Sequence, residues 1–211
     1  MTRIRELYLT AAESAAKLIA SPGVAAAWKE PSALAKLSVG GLAGHLANQI
    51  VPVAGFLAGP VPTEEIITLQ DYYANAAWIG SDLDDDVNTG IRAGGEQEAA
   101  DGPEALARRV EAAVQELRTL LPAVQARPVR RASWPWAVML DDFVTTRLLE
   151  ITIHSDDLAH SVGAPTPELP AEAVEVVVDV LTRIALRRHG ATNVLRALSR
   201  AERAPASISA L

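Results

Sequence analysis

The sequence predicts an all-α protein: an up-down helical bundle over residues 1–165, with a helical extension over 166–211 packed on the same domain. Three observations predict it. Apolar residues fill 49% of the 211 positions and aromatics only 4%, with Ala, Leu and Val dominant, a composition suited to helices in close contact through small side chains rather than to a strand-rich sandwich. Apolar residues recur at three- and four-residue steps in several long segments, the period of a helix with one buried face. Helix start and stop residues fall at the ends of those segments.

The first helix is expected from about Arg3 to Trp28, with Ile4, Leu7, Ala11, Ala15 and Leu18 on one face. Ser21-Pro22-Gly23 breaks or kinks it. Ser38 is a good N-cap for a second helix, whose stripe runs Leu42, His45, Leu46, Gln49, Ile50, Val53. Gly41 and Gly44 weaken that helix by roughly 1 kcal/mol each relative to Ala, and let a neighbour approach closely. After a loop at Gly59, Thr63 with Glu64 and Glu65 starts a third helix, acids in the first turn suiting its dipole. "DLDDDVNTGI" superficially resembles a calcium loop. Val87 stands where the loop needs Gly and Ala93 where it needs Glu, so it reads as an acidic helix start. Asp101 caps the next helix, Pro103 suits its first turn, and Leu106, Val110, Val114, Leu117 and Leu121 form its stripe. "VRRASW" reads as a short extended piece. A long helix follows from Pro135 to Gly163, then a rigid connector. A further amphipathic helix turns Val174, Val177, Val178, Leu181, Ile184 and Ala185 inward and stops at Gly190; a short one spans about Val194 to Ala201. The bundle's long helices are expected to centre near residues 16, 48, 112 and 150.

Net charge is −7 and the arginine pairs are scattered, so no basic stripe offers itself to nucleic acid. No stretch approaches ~18 uninterrupted apolar residues, and no membrane span is expected. There is no cysteine, which excludes a disulfide, a thiolate metal site and a Cys nucleophile and suits a reducing cytoplasm.

The chemistry gathers at "LLEITIHSDDL", Leu148 to Leu158. Glu150 and His154 stand four apart on a helix that otherwise reads as buried, a spacing at which both can reach one metal ion. Zinc takes three protein ligands plus an open position when catalytic. His45, also polar on an apolar stripe, is the natural third, since bundle cores host metal sites between facing helices. Either feature alone reads more readily as a helix pair or a satisfied core histidine; the two together bring the metal reading level with it. Arg147 and Asp157, one turn to either side, are candidate catalytic residues. Asp157 could accept a hydrogen bond from a metal-bound imidazole; Arg147 could neutralise Glu150 or receive an anionic group. Both could equally be surface partners. His160 and His189 read as structural, and Trp134 and Trp136 as core packing or pocket wall.

"SVGGLAGHLA", "LDDDVNTGI" and "RLLEITIHSDDLAHSVG" together resemble the mycothiol-dependent maleylpyruvate isomerase N-terminal family of the DinB-like, or YfiT-like, superfamily. The resemblance covers about residues 5 to 165. It implies a DinB-like bundle and a divalent metal, usually zinc, on the positions matched by His45, Glu150 and His154. It also implies a low-molecular-weight thiol, mycothiol, as co-substrate of a transferase or isomerase acting on a small electrophile. A non-catalytic metal-dependent sensing module and a zinc hydrolase are the alternatives. A homodimer is carried as one possible assembly.

Overall fold

The computed structural model describes residues 1–211. Ten α-helices carry the fold, and the only sheet has three strands of two or three residues. Helix α1 (Arg3–Ile19) buries Leu7, Ala11, Ala15 and Leu18. It ends earlier than the periodicity suggested, because Ser21 accepts a hydrogen bond from Val24 N and opens a separate α2 (Pro22–Ala26) with Pro22 in its first turn. Helix α3 (Val39–Ala47) is capped by Ser38, whose side chain accepts from Gly41 N. It stops short of Val53, which begins α4 (Val53–Ala58). The first two bundle helices are therefore centred several residues before 16 and 48.

The expected helix start at Thr63 is corrected. Residues 66–67 form strand β1, and Thr68 caps α5 (Leu69–Ala74) by accepting from Asp71 N. The acidic run starts α6 (Asp86–Glu98), with Asp85 at the N-cap. The N-cap position of helix α7 (Pro103–Ala123) is Gly102 rather than the expected Asp101, with Gly102 at φ +88, where glycine is unstrained. Residues 128–129 form β2 and Ala137–Met139 form β3, so α8 (Leu140–Ser161) starts five residues after Pro135. Strand β3 is central, parallel to β1 and antiparallel to β2. Helices α9 (Ala171–His189) and α10 (Ala191–Ser199) complete the chain with a short 3₁₀ turn at Ala201–Arg203. On α9 the inward set is Ala173, Val177, Val180, Ile184 and Ala185; Val174 and Val178 are exposed, against expectation. The covered stripe is narrower than the apolar arc of the sequence.

Helices α1, α3, α7 and α8 form the heart of the bundle, α9 lies against α8, α1 and α5, and α6 lies along the outside of α3. The α3–α6 contact rests on small residues. A Cβ on Gly44 would fall 2.1 Å from Gly95 O, and one on Gly95 would fall 2.4 Å from Gly41 O. The Glu96 carboxylate of α6 accepts from both Ser38 N and Ser38 Oγ, supplying from another helix the acid that a capping box holds within one. Arg5, only 3% exposed, donates to Asp141 at 2.7 Å and to Val124 O, pinning α1 to the end of α7 and the start of α8. No helix is long and apolar enough to cross a membrane.

Candidate metal centre

Every residue of α3 from Val39 to Ala47 is buried except His45. The helix is enclosed on its other sides, and this one imidazole looks out toward α8. There, Glu150, His154 and Asp157 form a half-buried stripe beside the buried Leu148, Ile151 and Leu158. The side chains of His45, Glu150 and His154 converge, each offering a donor atom within 4.8 Å of the others. His154 Nε2 lies 3.2 Å and His45 Nε2 3.6 Å from the same Glu150 oxygen. Donors ~2.0–2.1 Å from a tetrahedral ion stand roughly 3.3 Å apart, so the three residues fit one such ion with little movement. The two rings meet edge to face, centroids 4.6 Å apart.

The surrounding polar groups form a connected shell. Asp157 Oδ2 sits 2.9 Å from His154 Nδ1, which leaves Nε2 facing the cluster, the arrangement that fixes the tautomer of a ligating histidine. Gln49 Nε2 donates to His45 O at 2.8 Å, while Gln49 Oε1 accepts from Arg147 Nη1. Arg147 also donates to Tyr72 Oη at 3.3 Å and to Thr146 Oγ1 at 3.1 Å. It is 4% exposed and forms no ion pair. The sequence left open a surface role, neutralisation of Glu150 or receipt of an anionic group; Arg147 is buried rather than at the surface, and its charge acts on Glu150 without a direct ion pair. Its charge is buried among neutral partners, one turn from Glu150. Gln49 and Tyr72 carried no signal in the sequence beyond Gln49 lying on the His45 stripe. Trp134 stacks at a tilt on Tyr72, centroids 5.1 Å apart, and with Trp136 is packed against the core. His160 is exposed, and His189 Nε2 bonds Ser209 O far from the cluster.

Charge within the cluster is polarised. Burial pushes the Glu150 carboxyl up, but the adjacent His154 and His45 imidazoles and the Arg147 charge outweigh it, holding Glu150 well below the usual carboxylate range. Burial also opposes a charged His154, yet Asp157 and Glu150 raise it to about 9. His45 is lowered, by burial above all. The metal-free cluster at neutral pH thus holds a protonated His154, an ionised Glu150 and a neutral His45.

A metal must displace the His154 proton. Zinc binding between pH 7 and 8 is expected to release close to one proton, with apparent affinity rising up to about tenfold per pH unit toward pH 9. Calorimetry in buffers of different ionisation enthalpy reads this directly; a buffer-independent heat would remove His154 from the ligand set. The stability sign is opposite for the metal-free protein. A folded-state pKa of about 9, above the ordinary 6.5, gives stabilisation present below pH ~6.5 and lost as pH rises through about 9. Alkaline pH should therefore lower the melting midpoint of the metal-free protein while zinc raises it most strongly there.

Neither curated proteins nor solved structures gave a match to this chain. A match was found to the family described as the mycothiol maleylpyruvate isomerase N-terminal domain, over residues 8–159. That span runs from within α1 to near the end of α8, including His45, Glu150 and His154, and the bundle is the DinB-like fold known for this family. The chain belongs to the mycothiol maleylpyruvate isomerase N-terminal domain family.

Proposed function

We propose that the protein binds one divalent ion, zinc by preference, through His45, Glu150 and His154, and uses it to activate a low-molecular-weight thiol toward a small electrophile. The reaction is S-transfer or thiol-dependent isomerisation, and family membership points to mycothiol as the thiol. The observation that carries this reading is the convergence of two imidazoles and a carboxylate within 4.8 Å, a three-ligand set of the kind that leaves a tetrahedral ion one open position. When bound, the ion would lower the pKa of a thiol in that position enough to deprotonate it. Glu150, held ionised, offsets part of the ion's charge. Asp157 orients His154, and Gln49 tethers the His45 backbone. Arg147 contributes a fixed positive potential beside the site, which favours anionic species formed there. The chain has no cysteine, so any thiolate comes from solution.

The test is a thiol titration of tag-free, zinc-loaded protein with mycothiol. Binding should release a proton, vanish after chelation and vanish in His154→Ala. Equal binding after chelation would make the metal structural and the protein a binding module. Consumption of the electrophile without any thiol would point instead to hydrolysis.

A further inference from the structure

A cavity of about 440 Å³ lies between α5 with its following turn and helix α9. That size is ordinary for a small-molecule site, roughly 300–1,000 Å³. None of His45, Glu150 or His154 lines it. Leu69, Tyr73, Ile79, Val180 and Ile184 supply an apolar lining, and Arg183, Arg187 and Arg188 bring three positive charges to the same space.

The three arginines are exposed at the mouth of the cleft. The chain has 26 acids against 19 bases, yet none of the three forms an ion pair, and their one hydrogen bond to the protein runs from Arg188 Nη1 to Ser209 O at 3.3 Å. A helix dipole favours cations in the last turn, which accounts for Arg187 and Arg188 near the α9 C-terminus. It does not account for Arg183, nor for placing Arg183 and Arg187 at i and i+4, where like charges repel.

We propose that the α5–α9 cleft binds a small organic acid with an apolar body, its anionic group held by Arg183, Arg187 and Arg188. The apolar lining takes the hydrocarbon part, and the arginines select the charge. The site does not depend on the metal centre.

Calorimetric titration of the full chain with octanoate, 1-octanol and octylamine tests this. Octanoate should bind one per chain, at least about tenfold more tightly than octanol, with octylamine weaker still. Chelator-treated protein should bind octanoate equally well, which separates this cleft from a carboxylate landing on a metal at the triad. The double variant Arg183→Gln, Arg187→Gln should lose at least about tenfold in octanoate affinity while keeping its helical circular dichroism. Ala76→Trp, which fills the apolar side, should abolish binding of both octanoate and octanol. No octanoate binding, equal binding of octanoate and octanol, or undiminished binding by the double arginine variant would each overturn the proposal. So would sedimentation with phosphatidylglycerol vesicles that depends on Arg183 and Arg187, because the anion recognised would then be a lipid headgroup at a membrane surface.

Discussion

Glu150→Gln is expected to weaken zinc binding by more than about 100-fold. The change preserves shape and removes the one negative charge among the three converging donors. Its effect should exceed that of Asp157→Asn, which disturbs only the bond to His154 Nδ1 and should cost about 10–100-fold, as outer partners of metal ligands do. The order of the two effects matters more than either magnitude. Metal affinity measured by competition with a chromogenic chelator, on variants whose helical content is unchanged, decides it. If Glu150→Gln binds zinc as tightly as the unaltered protein, the carboxylate is a partner of the two imidazoles and not a ligand.

Gly44→Ala is expected to destabilise the fold by about 3 kcal/mol or more, in the upper range for overpacked sites. The added methyl would fall 2.1 Å from a backbone oxygen of α6, and backbone cannot swing aside as a flexible side chain can. For a chain of this size the melting midpoint should drop by about 6–12 °C. Because His45 is the next residue, zinc affinity should fall as well. Gly94→Ala is the matched control. It is interior to α6 as Gly44 is interior to α3, but a Cβ there meets nothing within 4 Å, so relief of the glycine penalty should stabilise by up to about 1 kcal/mol. Equal midpoints for the two variants would mean that α3 and α6 are not in backbone contact.

Much of the fold was legible because helical periodicity is a local property. Leu106, Val110, Val114, Leu117 and Leu121 mark one stripe of α7 and all are buried. The stops at Gly163 and Gly190 were readable because both positions take positive φ, where glycine is unstrained. What failed depends on partners distant in the chain. Strand β1 exists because residues 66–67 meet β3 some seventy positions later, and nothing in Thr63–Glu65 foretells that. Val174 and Val178 obey the helical period and are still exposed, because the period marks an apolar face without saying how much of it a neighbour covers. At the candidate site, the Glu150–His154 pair was visible within one helix, and His45 as a polar interruption of another. The depth of Arg147 was not, because Tyr72 and Gln49 reach it from 75 and 98 residues away.

The clasp between α3 and α6 has a consequence for how the candidate centre tolerates sequence change. Helix α6 contributes no donor atom to the cluster, yet Gly95 and Glu96, adjacent in its sequence, set the spacing and the axial height of the helix that carries His45. Each inserted residue turns the rest of an α-helix by about 100° and advances it by 1.5 Å. One residue gained between Gly95 and Glu96 would swing the carboxylate away from Ser38 while leaving all three donor residues intact. A descendant of this chain could thus keep its histidines and its glutamate and still lose the site, through a length change in a helix that touches no ligand.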